Sequence, residues 1–254
     1  MKTVLLLGDI TGRSRVALRM LSRVLEDGGH EVLMLPTAMI SNTLNLGLHE
    51  ALDTTDYMLR SLACWKTLGM RYDLVYIGYI TGMAQAEKLC AAADEWRAEG
   101  VPVILDPILG DSGRRYNSVS DEQLEGMRLL CRHADLITPN MTEACLLAGV
   151  EYDPAKGKML AAALGEMGCG VLITSAETAQ AAPAMIGLDR RGNMQFEIPF
   201  ERVPGHRWGT GDLFTGLLIT GMLAGKEIEA AARDAGETVA RQLRGEEKSL
   251  LPEQ

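Results

Sequence analysis

From Thr3 the chain runs TVLLLG, an apolar stretch with no polar face, which reads as a buried strand. Over 14–27 the period changes. Val16, Leu18, Leu21, Val24 and Leu25 recur at helical spacing, and Gly28-Gly29 ends the run. The same exchange then repeats. EVLML (31–35) predicts a strand closed by Pro36, TAMISNTLNLG (37–47) a polar loop, and 53–69 a helix. DLVYIGYI (73–80) is the next strand, 83–99 a helix stopped by Gly100, and PVILDP (102–107) a strand ended by proline. Residues 120–133 read as helix, DLITPN (135–140) as strand then loop, 141–148 and 155–167 as short helices, and GVLITS (170–175) as strand. Between about 183 and 204 the pattern switches to a hairpin, MIGLD and MQFEIPF around RRGN, and helices over 211–224 and 226–244 close the chain.

Strand–helix–strand order predicts parallel strands joined by right-handed crossovers, with helices on both faces of a central sheet. The strands are apolar throughout, as expected when both faces are covered. With no linker, repeat or low-complexity tract, the 254 residues are read as a single three-layer α/β/α domain over 1–254. In such sheets ligands sit beyond the carboxyl ends of the strands. The polar residues there are Asp9, the 37–47 loop, Tyr79, Asp106, Gly110-Asp111, Asn140, Glu143, Thr174 and Ser175. Carboxylates and amides dominate that set, which suits a metal–phosphate ligand better than an apolar one.

Composition narrows the function classes. An apolar share of 47% is ordinary for a globular protein, and a net charge of −9 argues against a nucleic-acid partner. The first apolar run is too short for a signal or a membrane span, so a cytoplasmic protein without a membrane partner is expected. The five cysteines (64, 90, 131, 145, 169) lack metal or redox spacing and fit reduced, packed thiols. His30, His49, His133 and His206 are scattered and read as surface or loop residues.

The densest chemical signal is WGTGDLFTG (208–216), where two glycines bracket Thr210 and Asp212 follows at a helix start. A helix start offers unpaired N–H groups and partial positive charge, and glycine lets that backbone approach an anion such as a phosphate. A carboxylate in that place repels a phosphate unless it takes a proton from an attacking hydroxyl. Asp is also a favoured helix cap, so that reading stands beside the catalytic one. GDITGRS (8–14) is one residue short of a phosphate-binding P-loop and has arginine for lysine, so it reads as a strand-to-helix turn with Ser14 as cap. No G-x-G-x-x-G follows the first strand. Asn140 and Glu143 of NMTE lie after a strand, in the same position relative to the sheet as Asp106-Pro107, Gly110-Asp111 and the GTGD run.

Taken together, ILDPILGDSGRRY (104–116), ADLITPNMTEACLLAG (134–149), LITS (172–175) and GTGDLFTGLL (209–218) resemble the pyridoxal kinase family of the ribokinase-like superfamily, over essentially the whole chain. The resemblance implies ATP-dependent phosphorylation of the 5′-hydroxymethyl group of a B6 vitamer. Asp212 would be the general base, and the amides of Gly209, Thr210 and Gly211 the anion hole. Asp106 and Glu143 would steer Mg²⁺, through water. Asp111, Tyr116, Asn140, Thr174 and Ser175 would contact ATP, and 183–208 would flank adenine. K⁺ and a homodimer are further implications. On the substrate side, where Asp9, Ser41, Thr43 and Tyr79 are the candidates, the chain departs from the family. Asp9 stands where the family commonly has serine. SNTLNLG (41–47) lacks the usual histidine, and Leu44 falls near the usual threonine. Two alternatives follow from these departures. One is a kinase for another hydroxymethyl heterocycle, pyrimidine or nucleoside-like. The other is a non-catalytic ligand-binding homologue.

Overall fold

The computed structural model describes residues 1–44, 48–189, 194–204 and 207–252. The chain forms two compact units, Met1–Thr81 with Val203–Gln254, and Gly82–Arg202.

In the first unit, β1 (Thr3–Thr11) lies between β2 (Glu31–Ile40) and β4 (Leu74–Ile77), parallel to both, and β3 (Ala51–Asp53) adds antiparallel to β2. Val4 to Leu7 are fully buried, as a strand covered on both faces requires. β2 continues through Pro36 instead of closing there, so TAMI, read as loop, is strand. A register shift explains this: Gly8 is opposite Pro36, and the pairing then slips so that Asp9 faces Ala38. Proline has no ladder N–H to give, and a bulge is where a strand tolerates it.

Helix α1 (Leu18–Asp27) starts four residues later than the apolar period suggests. Ser14 is not its cap. It sits in the preceding turn at φ 73°, and the N-cap is Ala17 at φ 53°, with no side-chain bond. Helix α2 (Thr55–Thr67) lies beside β2, and α7 (Thr210–Leu223) and α8 (Ile228–Arg244) complete the unit. Gly216 makes the α1–α7 contact possible, since a Cβ there would stand 2.9 Å from Val24 Cβ. Gly221 plays the same part against α8, where a Cβ would be 3.0 Å from that of Ala231.

In the second unit, β5 (Val103–Leu105), β8 (Leu136–Ile137) and β9 (Gly170–Glu177) are parallel neighbours. β10 (Pro183–Asp189) and β11 (Met194–Pro199) continue the sheet antiparallel, which is the hairpin expected from the sequence; its RRGN turn lies outside the described residues. Helices α3 (Met83–Ala98), α4 (Asp121–Cys131), α5 (Met141–Ala148) and α6 (Gly157–Gly165) complete it. A two-residue ribbon, β6 (Gly110–Asp111) with β7 (Arg114–Arg115), has no counterpart in the apolar pattern because its residues are polar or glycine. All five cysteines are free thiols, four of them buried. No helix among the described residues is long and apolar enough to cross a membrane.

Candidate active site

In the first unit the chemistry gathers at the end of β1 and the start of α7. Gly209 is the N-cap of α7 at φ 81°, a left-handed conformation that favours glycine, and no side chain caps the helix. No acceptor among the described residues takes the N–H of Thr210, Gly211 or Asp212. A Cβ built on Gly211 meets nothing within 4 Å, so the space before these amides is open. Asp212 lies in the first turn and is not the cap. Its Oδ2 accepts the Ala17 N–H at 2.8 Å. Burial pushes its carboxyl up from the ordinary range, and the Ala17 bond opposes that. The strained backbone of Ala17 is what aims this N–H, a signal that no residue type announces.

Asp9 is buried, with only 7% of its surface exposed. Its carboxyl is pushed up from 3.8 to about 7, first by burial and then by the charge of Asp212. The Asp212 charge thus disfavours ionising Asp9. Thr11 and Thr43 are buried as well, and their hydroxyls have no partner among the described residues. Tyr79 is buried next to this end of the sheet, and its carbonyl accepts from Thr37 Oγ1 at 2.6 Å. Ser41 serves the backbone: its N–H donates to the Glu50 carbonyl and its hydroxyl accepts the Glu50 N–H, both at 2.9 Å. Of the altered substrate loop, 45–47 lie outside the described residues, as does His206.

In the second unit a different cluster forms where β5 and β8 end. Asp106 and Glu143 are both buried. Asn140 and Glu143 make a reciprocal cap on α5: Asn140 Oδ1 accepts the Glu143 N–H at 3.0 Å, and Glu143 Oε2 accepts the Asn140 N–H at 2.8 Å. Glu143 Oε1 also takes the Leu109 N–H at 3.2 Å. Burial and the neighbouring Asp106 charge hold the Glu143 carboxyl well above the usual carboxylate range. Asn140 Nδ2 donates to the Gly110 carbonyl, and Thr142 Oγ1 accepts the Gly113 N–H, both at 2.8 Å. The ribbon that carries Asp111 is thereby fastened to the start of α5. Ser175 Oγ accepts the Met141 N–H at 3.0 Å, and Thr174 donates its own N–H to the Pro139 carbonyl at 3.0 Å. Tyr116 closes the ribbon through its N–H to the Leu109 carbonyl at 3.0 Å.

All the donors in this cluster are oxygens, which matches Mg²⁺. That ion keeps most of its waters and needs one or two carboxylates. Glu143 has spent two of its roughly four acceptor positions on backbone N–H groups, so two remain. Among the described residues no group of three or more His, Cys, Asp or Glu side chains is placed to hold a metal ion directly. Sequence reasoning missed Ala17, Thr11, Leu109 and Thr142. Two act through backbone N–H groups and two through threonine hydroxyls, and neither has a sequence signature.

The architecture defines a class, the ribokinase-like three-layer α/β/α fold with a mostly parallel central sheet. A candidate phosphomethylpyrimidine kinase from Bacteroides thetaiotaomicron, crystallised with pyridoxal, superposes with a TM-score of 0.88 and is 29% identical. The match covers 96% of this chain and 88% of that one. Pyridoxal kinase from Lactobacillus plantarum shares the fold with a TM-score of 0.83 over 98% of this chain and 91% of that one, at 24% identity. Pyridoxal kinase from Arabidopsis thaliana is 27% identical over 156 residues, 58% of this chain; the chain spans 50% of that relative's length. A family model described as phosphomethylpyrimidine kinase matches residues 29–251. The chain belongs to that family, and the resemblance read from its sequence is borne out.

Proposed function

We propose that the chain, acting as one kinase domain over 1–254, transfers a phosphoryl group from ATP to the hydroxymethyl group of a B6 vitamer. The observation that carries this reading is the start of α7. Among the described residues, three N–H groups there are unpartnered, and a desolvated carboxylate beside them has one oxygen tethered by Ala17 and the other without a donor.

Asp212 accepts the proton of the attacking hydroxyl through the untethered oxygen. The Ala17 bond fixes the carboxylate's orientation, and desolvation raises its basicity towards that task. The amides of Gly209, Thr210 and Gly211 receive the charge on the phosphoryl group, and the N–H groups of Thr210 and Gly211 are among those unpartnered in the described residues. Asp106 and Glu143 would hold Mg²⁺ through its water shell, and the ion would neutralise phosphate charge. Asp111, Tyr116, Asn140, Thr174 and Ser175 position the nucleotide, and Asp9, Ser41, Thr43 and Tyr79 the acceptor. K⁺, a homodimer and a cytoplasmic location complete the reading by family resemblance.

The description of the matched family favours a second acceptor, a hydroxymethyl or phosphomethyl pyrimidine. Incubation with ATP, Mg²⁺ and a panel of B6 vitamers and pyrimidine alcohols, read by mass spectrometry, separates the two. A phosphorylated vitamer supports the proposal, and phosphorylated pyrimidine alone replaces it. Tight binding with no product favours a non-catalytic homologue.

A further inference from the structure

Four residues other than glycine take a positive φ among the described residues, and two of them, Ser14 and Ala17, lie in the one turn that joins β1 to α1. Ala17, at φ 53° and ψ −136°, occupies a region where an L residue persists only if its surroundings over-determine it. Glycine would sit there freely, so the turn keeps an alanine against its intrinsic preference.

What holds the turn is α7. The Ala17 N–H donates to Asp212 Oδ2 at 2.8 Å. One residue earlier, the Val16 side chain is buried, and a Cβ added to Gly209 would stand 3.3 Å from Val16 Cγ1 and 3.5 Å from Met20 Cε. Val16 therefore lies against the backbone of Gly209. That residue is the left-handed cap from which the unpartnered N–H groups of Thr210 and Gly211 follow. Two neighbouring residues of one turn thus touch both halves of the centre, the carboxylate through a donor and the amides through their cap. Further along the same two helices, Val24 against Gly216 keeps α1 seated on α7.

The contact with Asp212 has an electrostatic consequence. A hydrogen bond donated to an ionised carboxylate favours that form, so the Ala17 N–H opposes the rise that burial imposes. Asp9 of β1 is the titratable group that faces Asp212. Arg13, Arg15 and Arg19, from the turn and the start of α1, are exposed, and the first turn of α7 brings no other charged side chain.

We propose that Val16 and Ala17 are positioning residues of the phosphoryl-transfer centre: the Ala17 N–H sets the direction of the base, and Val16 sets the cap of the anion hole, so that one strained turn places both. This rests on the kinase reading above for the roles of Asp212 and the α7 amides.

The test removes each contact singly in the full chain. Replacing Ala17 with lactate, its α-hydroxy analogue, turns the N–H into an ester oxygen and keeps the side chain. The Asp212 pKa, read from its carboxyl resonance by NMR and assigned with Asp212→Asn, should rise by about 1 to 2, the span of one hydrogen bond to a charged group. The acidic limb of kcat/KM should move up with it. Ala17→Gly, which keeps the N–H, should hold the wild-type Asp212 pKa. Val16→Ala should weaken the binding of inorganic phosphate, read from the amide resonances of Thr210 and Gly211, by about 3- to 10-fold without moving the Asp212 pKa. Val24→Ala, at a similarly buried valine of α1, should cost comparable stability and leave phosphate affinity unchanged. An unmoved Asp212 pKa in the ester variant overturns the role of Ala17. No phosphate binding in wild type, no loss in Val16→Ala, or equal losses in the two valine variants overturns that of Val16. A chain that shows the expected shifts and affinities but phosphorylates no alcohol would sink the kinase reading alone.

Discussion

Two pairs of buried carboxyls, one in each unit, look alike by residue type and differ in how they are held. Glu143 beside Asp106 has both oxygens bonded to backbone N–H groups, those of Leu109 and Asn140. Asp212 has one such bond, from Ala17, and Asp9 has none beyond its own N–H. All of Glu143, Asp212 and Asp9 have carboxyls pushed upward, chiefly by burial. The lesson is that a raised carboxyl is not by itself a reactive one. The number of fixed donors separates a group that ties loops together from one kept for a proton or a ligand.

The comparison breaks most sharply at Asp212. Asp212→Asn should lower kcat by about 10²- to 10⁴-fold while leaving the ATP dissociation constant nearly unchanged. Steady-state kinetics and nucleotide titration check it, and near wild-type turnover would remove the base. Asp9 should show its cost in stability. Its proton is lost at about pH 7 in the folded protein but near 3.8 when unfolded, so the folded state holds more protons between those values. Its contribution is fully present below pH 3.8 and lost as pH rises to 7. By pH 8 the ionised group costs on the order of 4 kcal/mol at most. Asp9→Asn should therefore raise Tm at pH 8 and change it far less at pH 5, as read by thermal melts at both pH values.

Glu143→Gln should act in the opposite sense. A glutamine can accept at only one of its two ends, so one of the Leu109 and Asn140 N–H groups loses its partner at a cost of about 1–3 kcal/mol. Denaturant melts and amide exchange at Leu109 report it. The smallest effect is expected at Gly211→Ala. The site has room for the methyl group, and alanine is about 1 kcal/mol better than glycine in a helix, so the protein should become slightly more stable. If a phosphoryl group docks on these amides, kcat/KM should fall despite that gain.

Much of the fold was legible, for reasons that differ by element. α3 and α5 are bounded by a clear start and stop, and their predicted and observed limits nearly coincide, whereas β1 runs three residues beyond the apolar TVLLLG, to Thr11. β2 was cut short because Pro36 is a strand breaker unless a bulge accommodates it, and a bulge is a property of the pair, not of one strand. α1 was begun too early because Val16 continues the apolar period through a turn whose positive φ angles at Ser14 and Ala17 leave no trace in residue type. The site divides in the same way. GTGD is legible because glycine and aspartate at a helix start have local meaning, and NMTE because it follows a strand; its capping box is a finding of the structure. The groups that orient them are backbone N–H donors brought from elsewhere in the chain, such as Ala17 to Asp212 across 195 positions.

The double fastening of Ser41 to Glu50 has a consequence for how acceptor preference could diverge. It closes the base of the intervening segment on the paired end of β2 and β3, where Ile40 faces Ala51. Ser41 and Glu50 are thus fixed to each other and to the sheet. The closure entropy of a loop rises only slowly with its length, so insertions or exchanges between positions 42 and 49 should be cheap for the scaffold. A graft there from a relative would move substrate choice while the machinery at α7 stays as it is.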